Sequence, residues 1–221
     1  MAHRGELTGR NADETDDPRV RDLRGGPSAH GASTLRWPVG HRVVVSGLPG
    51  SGKSTLMRRT AGPHGRVTLV DSQEVRERWA GRLPRWLPYP VYRPAARLAH
   101  YAGLRRALRT ESGVLVHDCG RTAWVRRWLG RHGRRRGTGF HLVLLDVPAH
   151  IALAGQRERG RTVSRRAFAR HRRAVNRLIA EVEAGRLPAG CASVALLDRE
   201  AARALDEFGF ATPEVTDDPA R

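Results

Sequence analysis

At 221 residues and 39% apolar content, the chain has enough material for one well-buried core with short appendages. No apolar run approaches the roughly 20 residues of a membrane-spanning helix, and the start Met1-Ala-His-Arg-Gly-Glu6 lacks the apolar centre of a secretion signal, so a cytoplasmic protein is expected. The net charge of +18 comes from 39 arginines and a single lysine, which disfavours basic partners and attracts polyanions such as nucleotides, nucleic acid or phosphorylated metabolites. That charge sits in the middle of the chain, where residues 37–199 hold 31 arginines and Lys53 against ten acids. An arginine-biased coding sequence would produce the same field without any polyanionic partner. Cys119 and Cys191 make no metal or redox spacing and are expected to be reduced and structural.

In chain order, residues 1–36 are rich in Gly, Asp, Arg, Ser and Pro without a sustained apolar period, which predicts a disordered leader. One domain is expected over 37–210 and a flexible tail over 211–221. Five short apolar runs read as strands: Arg42 to Ser46, Val67 to Val70, Val114 to His117, His141 to Asp146 and Ser193 to Leu197. Buried strands alternating with helical stretches indicate an α/β fold, a five-stranded parallel sheet with helices on both faces. Between Arg78 and Pro94, the prolines Pro84, Pro88, Pro90 and Pro94 stand among Trp79, Trp86, Tyr89 and Tyr92, which predicts an ordered aromatic flap instead of a helix. Ala95 to Thr110 is helical in period, with Leu98, Tyr101, Leu104 and Leu108 three and four apart. Arg121 to Arg136 combines seven arginines with Trp124 and Trp128 on one helix side. Such a stretch is either a stacking platform for nucleic acid or, more commonly, a tryptophan pair in the core beneath solvated arginines.

The most specific signal follows the run Val43-Val44-Val45: Gly47-Leu-Pro-Gly-Ser-Gly-Lys53-Ser54-Thr55, containing the only lysine of the chain. The spacing is GxxxxGK[ST], the phosphate-binding loop of P-loop proteins. Gly47, Gly50 and Gly52, with Ser51 between them, let backbone amides turn inward on a phosphate chain at the start of the next helix, where Thr55 lies in the first turn. Lys53 would reach the β and γ phosphates as a compact charge, and the Ser54 hydroxyl would complete a Mg²⁺ shell. A tight strand-to-helix turn without a ligand is the bland alternative.

Of the ten central acids, those at the carboxyl ends of strands can face the ligand crevice of an open parallel sheet: Asp71, Asp118, Asp146 and Asp198, with Glu74 near. Asp146 and Asp198 read as helix caps. His117 and Cys119 flank Asp118, but adjacent strand residues point to opposite faces, so no metal site is expected from them.

A GTPase would need an Asn-Lys-x-Asp segment, and no second lysine exists; nor is there a Leu-Ser-Gly-Gly-Gln transporter signature. An AAA+ motor needs roughly 200 or more residues plus a helical lid domain. A small phosphotransferase fits better. The sequence resembles the polynucleotide-kinase-like and zeta-toxin-like P-loop kinases, often grouped as small AAA-type ATP-binding proteins. The resemblance rests on Gly47 to Thr55, Asp71-Ser-Gln-Glu-Val-Arg76, Val116-His-Asp118 and Gln156-Arg157-Glu-Arg159-Gly160-Arg161. It implies a three-layer sandwich with strand order 2-3-1-4-5, ATP with Mg²⁺, and transfer of the γ-phosphoryl group to a hydroxyl. It also implies that Asp118 beside the P-loop holds Mg²⁺ through water, that Arg157 and Arg159 belong to a mobile lid acting on the nucleotide, and that Arg76 grips the acceptor. The family's Asp-x-x-Arg reads Gln73-x-x-Arg76 here. Asp71 or Glu74 would then replace the missing base, or transfer needs little base, or the acceptor differs. The acceptor is left open between a polynucleotide end, a nucleotide sugar and another small molecule, and the competing reading is a nucleotide-binding regulatory module without turnover.

Overall fold

The computed structural model describes residues 17, 19–26, 29, 33–60, 67–84, 86–110, 112–117, 123–158, 160 and 163–211. Eight strands are described: β1 Val20–Asp22, β2 Ser33–Pro38, β3 Arg42–Gly47, β4 Val67–Val70, β5 Gly113–His117, β6 Phe140–Leu145, β7 Ser193–Leu197 and β8 Leu205–Ala211. The helices are α1 Lys53–Thr60, α2 Ser72–Arg82, α3 Tyr89–Ala107, α4 Ala123–Arg135, α5 Ala149–Arg157, α6 Arg165–Glu183 and α7 Arg199–Ala204.

The main sheet is wholly parallel, in the order β1-β7-β6-β3-β5-β4. Its last five strands are those read from the sequence, and counted from the P-loop strand they stand in the implied order 2-3-1-4-5. The sixth strand, β1, is an addition on the β7 edge, and it lies inside the stretch expected to be without regular structure. Three residues are too few to show a period. Tertiary contacts hold them instead: Val20 and Leu23 are buried, and the Arg24 guanidinium bonds Asp22, Asp146 Oδ2 at 3.0 Å and Glu183 Oε1 at 2.7 Å. Those three carboxylates raise the Arg24 pKa above its ordinary value, Asp22 most.

β3 and β6 are buried along their whole lengths, and the two-residue alternation divides the core into two clusters. On one face Val44, Val116, Leu142 and Leu144 meet Leu104 and Leu108 at the end of α3, Leu129 of α4, and Val175, Leu178 and Val182 of α6. On the other, Val43, Val45, Leu115, Val143 and Leu145 meet Leu56 and Met57 of α1 and Ala201 of α7. That second face is also covered by a small parallel sheet, β2 with β8, which the sequence had not announced. Its inward residues Leu35, Trp37 and Phe208 join the core, with Trp37 edge-on to Phe208 at 5.3 Å. Each such side chain stabilises the fold by about 1.5–3 kcal/mol.

Three helical expectations need correction. The aromatic flap shrinks to the connection between Arg82 and Tyr89, because α2 runs through Trp79 and α3 begins at Tyr89. Pro90 falls in the first turn, where no intrahelical N–H is lost, and Pro94 comes early enough to cost one backbone bond. Leu98, expected on the buried face, is 71% exposed, while Leu104 and Leu108 are buried. Trp124 and Trp128 do not both enter the core: Trp124 is 49% exposed and packs edge-on to Tyr101 at 4.8 Å, whereas Trp128 rests partly buried against the first cluster. Cys191 is buried, and burial pushes its thiol up to about 12; Cys119 lies outside the described residues. Among the described residues no helix is long and apolar enough to cross a membrane.

Candidate active site

The central strand β3 ends at Gly47, and the loop 48–52 delivers the chain into α1 at Lys53. The bend is shaped by Gly50 and Gly52, with φ of 89° and 97°. At Gly50 a Cβ would stand 2.1 Å from the Ala152 carbonyl oxygen, so only glycine lets α5 lie on the loop. At Gly52 none of the described residues stands within 4 Å of that position, so among them the loop opens there on clear space. Lys53 is 3% exposed and its Nζ donates to Gly47 O at 2.9 Å and Leu48 O at 2.7 Å, which holds the ammonium across the loop. Ser51 Oγ is buried without a hydrogen-bond partner among the described residues. The Thr55 and Leu56 amides close the first turn onto Gly52 O, and the Ser51 amide donates to Leu48 O at 3.1 Å.

Asp71 follows β4, and its Oδ2 accepts the Ser54 hydroxyl at 3.2 Å. Its Oδ1 lies 3.5 Å from His117 Nδ1, with both side chains nearly buried. The strand order explains this meeting: Val70 pairs with Val116, so the residues after them, Asp71 and His117, come side by side at the carboxyl end of the sheet. Sequence reasoning set His117 aside as a metal ligand and missed it as the neighbour of Asp71. The signal was present, because adjacent strands whose polar residues both terminate an apolar run bring those residues together. Glu74 and Glu77 on α2 join Ser54, Asp71 and Arg58 around a small cavity of about 60 Å³. Arg76, on the same helix, is exposed, and Gln73 lies in the first turn of α2.

Gln156, named in the lid segment but given no role of its own from sequence, is a second such residue. It is buried on α5, its Nε2 donates to Pro49 O at 3.0 Å, and its Oε1 accepts the Val163 amide at 3.1 Å. One side chain thus ties the phosphate loop to both ends of the segment 157–163. A polar residue one turn after the buried Ala152, on a helix face otherwise small and apolar, was the available hint. Arg157 closes α5 and is exposed, and Gly160 turns the chain with φ of 59°. Arg159 and Asp118 lie outside the described residues.

The structure therefore gathers Gly47, Gly50, Ser51, Gly52, Lys53, Ser54 and Thr55 with Asp71. Of the two aspartates read as caps, Asp198 is one, accepting the Ala201 amide at 2.7 Å. Asp146 is not: Pro148 takes the N-cap position of α5, and the Asp146 carboxylate binds Arg24 instead.

A family model described as an AAA domain (AAA_33) matches residues 43–184, more than half of the chain. No curated protein matches by sequence. Among solved structures, the chain is similar to one from the PezAT chromosomal toxin-antitoxin system of Streptococcus pneumoniae, with a TM-score of 0.55 and 15% identity over 78% of this chain and 72% of that one. It is also similar to a chain of the Pnkp1/Rnl/Hen1 RNA repair complex, with a TM-score of 0.52 and 16% identity over 67% of this chain and 47% of that one. A tunicamycin resistance protein of Deinococcus radiodurans aligns with a TM-score of 0.40 and 16% identity over 63% of this chain and 80% of that one.

Proposed function

The chain belongs to the AAA domain family, a nucleotide-binding group with a P-loop kinase-like fold, and from that premise we propose that it is an ATP-dependent phosphotransferase acting on a hydroxyl acceptor. The observation that carries the reading is the bond from Ser54 to Asp71, which sets a carboxylate, flanked on its other oxygen by His117, beside the lysine-bearing loop. The clear space at Gly52 and the unpartnered Ser51 hydroxyl suit a triphosphate. The hard oxygen of Ser54 suits Mg²⁺, and Asp118, next in the chain after His117, is the carboxylate proposed to hold it through water. Bound there, the ion would neutralise charge on the phosphates.

The protein's own part is positioning and charge stabilisation. Lys53 exchanges its two loop carbonyls for the β and γ phosphates. Asp71 receives the proton of the acceptor hydroxyl as its oxygen bonds the γ-phosphorus and the bond to the β-phosphate oxygen breaks, releasing ADP. Arg157 and Arg159 lower the cost of charge on the transferring group, and Arg76 holds the acceptor. The candidates for that acceptor are a polynucleotide end, a nucleotide sugar or another small molecule. Similarity to a chain of an RNA repair complex supports the first.

The test is ADP release by the whole chain with Mg-ATP, with and without each acceptor class. Release that rises with one class and vanishes in Lys53→Ala is expected. Tight Mg-ATP binding with no acceptor-dependent release would make the chain a nucleotide-gated regulator instead.

A further inference from the structure

A second cavity, of about 520 Å³, lies between the end of α3 and the face of α4, lined by Arg105, Leu108, Arg109, Trp128 and His132. It is remote from the phosphate loop. The Leu108 carbonyl at its floor accepts Arg42, the first residue of β3, at 3.2 Å, whereas the loop begins beyond the last residue of that strand. Six strand residues separate the two ends by roughly 17 Å.

Its walls are complementary. α3 supplies Arg105 and the turn after its cap Arg109, four residues on; α4 supplies Trp128 and His132, one helical turn apart. Arg105 and Arg109 are exposed, and neither side chain has a hydrogen-bond or carboxylate partner among the described residues. Arg42 and Arg136, by contrast, are committed to Leu108 O. Among the described residues no carboxylate lines the cavity, and from Arg93 to Arg136 the chain holds twelve arginines against Glu111 and Asp118. Burial, then the charges of Arg42, Arg136 and Arg135, lowers the His132 pKa. The imidazole is therefore neutral at pH 7 and offers a flat surface beside the indole. Two guanidiniums without a partner among the described residues, facing an aromatic wall in a volume suited to a small molecule, are the requirements of a ligand that is anionic at one end and flat at the other.

We propose that this cavity is a second ligand site that takes a nucleotide unit, its base against Trp128 and its phosphate between Arg105 and Arg109. The unit could come from a single-stranded nucleic acid or from a free nucleotide. A labelled single-stranded oligonucleotide, titrated with the full chain and followed by fluorescence anisotropy at saturating Mg-ATP, tests it without competition from the phosphate loop. Arg105→Gln with Arg109→Gln, both surface changes, should weaken binding at least tenfold and flatten the dependence of log K on log salt by about 1.4, two contacts at about 0.7 each. Trp128→Leu should weaken it at least fivefold. Arg199→Gln with Arg203→Gln, on α7 across the sheet, is the control and should stay within threefold.

Displacement by a free nucleoside monophosphate would assign the site to nucleotides, and displacement only by oligomers to a strand; either supports the proposal. Absence of binding by both the oligonucleotide and a labelled nucleoside monophosphate, equal weakening by the control pair, or a change in sedimentation in place of affinity would overturn it. None of these outcomes depends on whether phosphoryl transfer occurs.

Discussion

Gly50 and Gly52 have nearly the same φ but opposite surroundings, so alanine at each separates backbone strain from packing. Both residues have positive φ, and an alanine there costs about 1–2 kcal/mol. At Gly52 that is the whole cost, because none of the described residues stands within 4 Å of the new methyl group. For a chain of this size it lowers the unfolding temperature by about 2–8 °C. At Gly50 the methyl would stand 2.1 Å from Ala152 O and 2.9 Å from Gln156 Cγ, so α5 must retreat. Overpacking of this kind adds about 1–3 kcal/mol, and loss of the Gln156 bond to Pro49 adds about 1 kcal/mol. The expected total is roughly 3–6 kcal/mol, at least twice the effect at Gly52. Thermal unfolding and Mg-ATP calorimetry on both variants provide the assay. Gly52→Ala should remain well folded yet lose nucleotide affinity, since its methyl enters the space assigned to the phosphates, whereas Gly50→Ala should lose stability first. Equal destabilisation of the two would refute the close seating of α5 on the loop, and unchanged affinity in Gly52→Ala would refute the placement of the phosphates.

Asp71→Asn keeps the shape of the site and should leave Mg-ATP affinity within a few-fold while cutting acceptor-dependent turnover at least a hundredfold; lost nucleotide affinity would make Asp71 a metal ligand instead of the base. Gln156→Leu strands the Pro49 carbonyl and the Val163 amide and should cost about 2–4 kcal/mol, together with faster proteolysis between Arg157 and Val163; an unchanged cleavage rate would rule out its tethering role. His141 Nε2 lies 2.8 Å from His41 Nδ1 and its Nδ1 lies 2.8 Å from Ser193 Oγ. Burial, then His41, holds the His141 imidazole down to about 4 from the usual 6.5. The unfolded chain therefore takes up this proton first as pH falls, so stability is complete above pH 6.5 and declines toward pH 4, by roughly 3 kcal/mol. His141→Asn should flatten that decline in pH-dependent melting curves, and an unaltered slope would place the acid sensitivity elsewhere.

The parallel core was legible because its strands are short apolar runs with abrupt ends: all five were placed to within a residue or two, and the P-loop lysine stands alone in composition. Segments stabilised by what they touch were not legible. β1 has one buried valine and depends on the ion pairs of Arg24, while β2 and β8 acquire their meaning from each other across most of the chain. Pro90 and Pro94 looked like helix breakers because their position within a helix is invisible until its first turn is known. In the site, the loop was read from spacing, but the pairs Asp71 with His117 and Gln156 with Pro49 are products of strand adjacency and helix seating. Gln73 left the base open between Asp71 and Glu74 in sequence, and the bond from Ser54 to Asp71 is what distinguishes the two in the structure.

The partnership of β2 with β8 has a consequence for synthesis. Ser33–Pro38 emerges from the ribosome before the P-loop strand, but its strand partner begins at Leu205. Until that late segment arrives, Leu35 and Trp37 have no lid and one side of the central sheet stays greasy and accessible. A nascent chain stalled short of Leu205 would thus carry a nearly finished nucleotide loop on a half-sealed body, the kind of intermediate that chaperones retain and proteases clear.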